Sequence, residues 1–194
     1  MKKLLVSAAM IALGLNLQAQ TVWNIDKGHS KIGFTVTHLM ISDVEGNFKD
    51  FTAKMTSTKD DFTDSQVDFT AKVASVNTDD EKRDGHLKGD DFFNAEKYPD
   101  ITFKSTSFKK VGDKKYKMTG NLTMRDKTKP VAFDVTYIGT VKDPWGNTKA
   151  GFKLNGKINR KDFGVSWSAA MDNGGVVVSD EVQIISSIEM AQQK

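Results

Sequence analysis

Three histidines and a few clustered charges are the residues with side chains suited to chemistry. His29, His38 and His86 stand in a chain with no cysteine, so a closed structural zinc site of four nitrogen or sulfur ligands cannot be assembled from them alone. His29 and His38 lie nine residues apart on one extended run, which puts them roughly 30 Å apart at about 3.3 Å per residue. Ser30 adjoins His29, but neighbouring strand residues point to opposite faces, so the two do not form a nucleophile and base. No Gly-x-Ser-x-Gly elbow or His-Glu-x-x-His helix is present. Asp162-Phe163-Gly164 copies a kinase tripeptide without the glycine-rich and catalytic loops that give it meaning. These absences argue against an enzyme.

Arg83, Asp84, His86 and Asp91 form the densest group. Arg83 or His86 could meet the polar head of a ligand, a quinone carbonyl or a phosphate. The preferred reading is structural: Arg83 pairs with a carboxylate, Glu189 or Asp162, and pins a short helix in place. His38 shares parity with Phe34 and Val36, so it could point inward near a barrel mouth; the preferred reading is a capped or turn histidine.

The elements that must hold these residues are mostly strands. Period-two alternation appears at Ile32, Phe34 and Val36, and again at Val67, Phe69, Ala71 and Val73. It recurs at Ile101 and Phe103, along Tyr116 to Met124 and Val131 to Tyr137, along Phe152 to Ile158, and finally from Val182 to Ile188. A run from Phe48 to Thr56, with register uncertain around Lys49-Asp50, makes roughly eight strands in all. Ser42 to Gly46 reads as the turn before it, and Gly28 as a bend in the first strand. Thr78 with Glu81 three residues later reads as a capping box that opens one short helix, limited by Gly85 and Gly89. Phe92-Phe93 and Tyr98-Pro99 follow as an apolar knot, either a flap over something apolar or a plug for one barrel end. Hairpin succession implies an all-β fold of eight antiparallel strands with one helical crossover after the third, which close most simply into a barrel; a flat sandwich is the alternative.

Lys2 and Lys3 precede an apolar run from Leu4 to Leu17, and Ala19 offers a small residue for cleavage. That is the pattern of a secretory signal over 1–19, too short for a good membrane span, with one domain over 20–194. The expected location is periplasmic or secreted. Loss of Lys2 and Lys3 takes the formal charge from +3 to +1, a poor balance for binding nucleic acid.

Taken in order, eight motifs now carry a resemblance. They are Trp23-x-Ile25-Asp26-x-x-His29-Ser30-x-Ile32-x-Phe34-x-Val36-x-His38, then Gly46-x-Phe48, Arg83-Asp84-x-His86-Leu87 and Asp91-Phe92-Phe93. Tyr98-Pro99-x-Ile101-x-Phe103-x-Ser105, Gly120-x-Leu122-Thr123, Thr128-Lys129-Pro130-Val131 and Arg160-x-Asp162-Phe163-Gly164 complete them. The chain resembles the YceI-like family of exported, lipocalin-like proteins associated with binding polyisoprenoid lipids. One departure is Asp126, where such proteins usually carry glycine at a hairpin tip.

The resemblance implies a barrel whose interior holds a long isoprenoid or quinone-like lipid, with no other cofactor. Phe34, Val36, Phe69, Val73, Phe103 and Leu122 are the expected lining, continued by Phe133, Phe152 and Ile184. His38 and Phe93 join them as ligand contacts. Glycines at 33, 120, 139 and 156 would relieve curvature or leave room beside a ligand. Transient membrane contact and a homodimer are compatible with this reading. An enzyme acting on a quinone-like lipid through His38 or His86, and a solid barrel serving as an interaction protein, are the alternatives.

Overall fold

The computed structural model describes residues 20–172 and 174–194; the leader expected over 1–19 lies outside the described residues. The alternating runs become strands β1 (Thr21–Ile25), β2 (Lys31–His38), β3 (Ser42–Phe48), β4 (Phe51–Ser57), β5 (Gln66–Lys72) and β6 (Val76–Asn77). After the helix α1 (Glu81–Lys88) come β7 (Asp100–Gly112), β8 (Lys115–Met124), β9 (Lys127–Lys142), β10 (Thr148–Asn159) and β11 (Val178–Gln192). Eight of them close in the order β1-β4-β5-β7-β8-β9-β10-β11, with β1 returning to β11. Every pairing is antiparallel, as hairpin succession implied.

The first three expected strands are each broken in two. β1 and β2 are successive halves of one ribbon along β11, and β3–β4 and β5–β6 break beside them. One set of halves completes the barrel; the other, β2-β3-β6, flares from β11 as an extension. Side chains hold the breaks by replacing ladder bonds. Asp26 accepts from the Gly28 N–H at 3.0 Å to cap the 3-10 turn Lys27–His29, the bend expected at Gly28. Ser30 Oγ accepts the Glu189 N–H at 2.9 Å, and Ser75 Oγ accepts the Asp50 N–H at 3.0 Å while donating to Lys72 O at 2.7 Å.

Ser42 to Gly46 is strand and not turn. The reversal falls on Leu39, Met40 and Ile41, where Leu39 (φ 51°) and Met40 (φ 61°) adopt left-handed backbone. Two bulky residues there cost about 1–3 kcal/mol each. At the β8–β9 hairpin the left-handed residue is Arg125 (φ 56°), so Asp126 needs no glycine.

One barrel end is solid. Phe62, on the β4–β5 loop, meets Trp23, Tyr137 and Phe152 with ring centroids 5.6, 5.4 and 5.3 Å away. Tyr116 donates to Asp61 O at 2.8 Å and fixes that loop. Burial alone would raise the Asp64 carboxyl, but hydrogen bonds from Ser57, Thr58 and Lys59 hold it well below the usual carboxylate range.

At the flared end the gap between β6 and β7 is covered by α1 and the segment 89–99. The N-cap of α1 is Asp80, which accepts the Arg83 N–H at 2.9 Å. Thr78 is not the cap, because its N–H and Oγ1 both donate to the buried Asp84 carboxylate, at 2.8 and 2.6 Å. Gly89 ends the helix as expected, whereas Gly85 lies inside it. Arg125 Nη1 reaches the carbonyls of Asp90 (3.2 Å), Phe92 (2.8 Å) and Gly164 (2.8 Å), tying this cap to the β8–β9 hairpin.

Candidate ligand cavity

The inward faces do not fill the barrel. An outer lobe of about 260 Å³ lies under α1 and the cap, and an inner lobe of about 130 Å³ lies between the barrel walls. Phe34, Phe48, Ile101, Met124, Ile158 and Ile184 border both lobes and form the waist between them.

Three glycines explain the open space. A methyl added at Gly46 would stand 2.8 Å from two carbons of the Phe34 ring. At Gly120 it would meet Phe103 at 2.6 Å, and at Gly156 Phe133 at 2.5 Å. Each ring therefore lies flat against a glycine of the adjacent strand instead of projecting across the lumen. The expectation that glycines leave room holds at Gly120 and Gly156. Gly139 has no neighbour within 4 Å of an added methyl, and at Gly33 the obstacle is Ile185 O at 2.8 Å.

Of the expected lining, Phe34 and Ile184 stand at the waist, and Val36, His38 and Phe93 border the outer lobe. Phe69, Phe103, Leu122 and Phe133 border the inner lobe. Val73 and Phe152 do not border the cavity. Val73 sits where the third ribbon breaks, its N–H donating to Pro99 O at 2.8 Å, so its side chain packs in the core. Phe152 belongs to the solid end, against Phe62 and Tyr137. Trp167 was missed because it falls in the stretch 160–175, which shows no alternation. Met124 and Ile158 were legible by parity, since each shares a face with residues named above; Phe48 was not, because the register of its run was left open.

The polar groups at the outer lobe are mostly engaged with the protein itself. Arg160, 4 % exposed, donates to the carbonyls of Trp167 (2.7 Å), Val165 (2.8 Å) and Ser179 (2.9 Å). Burial draws its guanidinium below the ordinary value, with Asp180 opposing. Its role is to fasten the 165–179 segment as a wall. Arg83 pairs with neither Glu189 nor Asp162; it donates to Thr78 Oγ1 (2.7 Å) and Thr78 O (2.8 Å), which fixes the start of α1. His86 Nε2 lies 3.2 Å from Asp91 Oδ2, and its ring meets Phe92 and Trp167 edge-on at 4.9 and 5.5 Å. His38 and His86 both border the outer lobe.

His29 lies outside the cavity, its Nδ1 3.1 Å from Asp26 Oδ2. Asp26, His29 and Glu189 offer ligand atoms within 4.8 Å of one another, but a cation already stands there. Lys149 Nζ is 2.6 Å from Asp26 and 3.1 Å from Glu189. The Lys149 hydrogen bond is the main cause that lowers the Asp26 pKa to about 2, with His29 adding to it.

A closed antiparallel barrel of eight strands, open inside to an apolar cavity and capped at one end, defines a lipocalin-like barrel. The match to the YceI-like domain model extends over residues 23–190, and the chain belongs to that family. It is 39% identical to the UPF0312 protein plu2095 of Photorhabdus laumondii, with all of both chains covered. The crystal structure of Campylobacter jejuni YCEI protein is 41% identical, with TM-score 0.69 over 87% of this chain and 96% of that one. A polyisoprenoid binding domain from Saccharophagus degradans shares the fold at 12% identity, with TM-score 0.57 over 87% of this chain and 97% of that one.

Proposed function

We propose that this protein is exported, its leader removed near Ala19, and that it holds the chain of an isoprenoid or quinone-like lipid in the barrel. The observation that carries this is the waisted cavity, walled by aliphatic and aromatic side chains over both lobes. An apolar cavity of about 150 Å³ already admits a benzene-sized guest. The outer lobe alone exceeds that. Ten methylene-sized groups moved from water to such walls contribute about 8 kcal/mol of gross driving force, set against the cost of ordering the lipid. The shared fold of the Saccharophagus domain is consistent with this ligand class.

His38 and His86 at the wall are what acid–base chemistry on a quinone-like lipid would need. Binding is the better reading, because Arg160 turns its donors to protein carbonyls and Arg83 directs Nε and Nη2 to Thr78, with Nη1 4.0 Å from Asp80.

Native mass spectrometry of the protein from a bacterial host, followed by organic extraction, tests both points. The expected result is one saturable lipid of isoprenoid mass, recovered unchanged, on a chain that starts near Gln20. A bare chain that takes up neither polyprenyl nor quinone lipids refutes the binder; an altered lipid restores the enzyme.

A further inference from the structure

The β2–β3 hairpin breaks the usual chemistry of a turn. Reversals that need left-handed backbone favour glycine, asparagine or aspartate. This one uses Leu39, Met40 and Ile41, which are 37, 65 and 84 % exposed. Val176, 36 % exposed, lies beside them, and the Leu39 N–H donates to Val177 O at 2.8 Å. The patch is continuous with the cavity rim, since His38, Val44, Val177 and Val178 all border the outer lobe.

We propose that this hairpin tip docks the protein on a lipid bilayer and places the cavity mouth in the acyl region, so that a lipid tail passes between membrane and barrel without crossing water. Four side chains expose on the order of a few hundred Å², well short of the roughly 800 Å² per partner that a stable protein complex buries. They are enough for a shallow, reversible insertion. No helix among the described residues is long and apolar enough to span a membrane; contact through the tip alone is that of a peripheral protein. Residues 39–41 carry no charge and residues 20–194 are nearly neutral, so attachment is apolar and does not call for anionic lipid. Its purpose rests on the lipid-binding reading above; its geometry does not.

The test is co-sedimentation of the purified full-length gene product, as the host processes it, with phosphatidylcholine vesicles, beside Met40→Asp/Ile41→Asp. The expected result is vesicle binding that the double variant weakens more than tenfold, with unchanged circular dichroism. In Ile41→Trp, a blue shift of tryptophan emission on vesicle addition reports insertion directly. Equal sedimentation of wild type and double variant overturns the proposal, as does binding that appears only with anionic lipid. A vesicle-free dimer that the same substitutions dissolve assigns the tip to a second copy and also overturns it. Extracted lipid without vesicle binding removes the docking tip and leaves the carrier; vesicle binding without extracted lipid does the reverse.

Discussion

Replacing Gly46 with alanine tests the link between strand packing and the lumen. The new methyl would stand 2.8 Å from two Phe34 ring carbons, against 3.4 Å for ordinary contact, so the ring rim must retreat by about 0.6 Å and its tip further. The contacts that oppose the methyl are all on the ring, and Phe34 lies at the waist, so the free direction is into the lumen. Overpacking costs about 1–3 kcal/mol, and loss of a strand glycine restores about 0.5–1 kcal/mol. The net cost is about 1 kcal/mol, with the waist pinched. Gly120→Ala differs because its methyl would also meet the backbone carbonyl of Lys104, which no side-chain rotation relieves. The β7–β8 ladder must then open, at about 3 kcal/mol or more. Urea unfolding and native mass spectrometry read the two effects. Gly46→Ala should unfold near the wild-type midpoint but retain little lipid, and Gly120→Ala should be the less stable. A Gly46→Ala protein with full lipid occupancy, or equal stability of the two variants, refutes the reasoning.

Three other outcomes follow from side chains that hold the wall and seam. Arg160→Met leaves the carbonyls of Val165, Trp167 and Ser179 without their donor, so urea unfolding should register a loss of about 3 kcal/mol; less than 1 kcal/mol would contradict the fastening role. Arg125→Ala frees the cap from three carbonyls, and hydrogen exchange at the amides of Phe92 to Ala95 should quicken more than tenfold with β8 unaffected. Asp26 titrates near 2, below its ordinary 3.8, so its contribution is fully present above 3.8 and is lost as pH falls through about 2. With the carboxylate partly exposed, that loss is about 1–2 kcal/mol between pH 4 and pH 2, and Lys149→Met, measured by thermal unfolding across that range, should show little of it.

What was legible in the chain, and what was not, divides along the distance between interacting residues. Alternation at Ile32 to Val36 or Tyr116 to Met124 is local, and it marked strand and inward face correctly. Gly28 and the register slip at Lys49-Asp50 marked two of the breaks, but not that each ribbon splits in two, because that depends on Ser30 meeting Glu189 and on Ser75 meeting Asp50, pairings across folded space. The capping pattern at Thr78 and Glu81 was overridden in the same way, since Asp84 claims the Thr78 hydroxyl and leaves Asp80 to cap. Val73 and Phe152 have the alternation of lining residues, but a ribbon break and the Phe62 plug decide where they pack. Trp167 carries no periodic signal because its segment is held by Arg160 and not by a ladder.

The closing seam also fixes when folding can finish. Trp23 in β1 pairs with Gln192 in β11, and β11 grips β2 along its remaining length, so the first ribbon waits for the last. At about 5–20 residues per second, synthesis of the chain between them takes roughly 10–30 s. Throughout that interval the N-terminal strands have an unpaired edge and no closed core. A chain built this way stays threadable until its final residues emerge, which suits passage through a membrane before folding. Removing even the residues from Met190 onward would keep it permanently ajar.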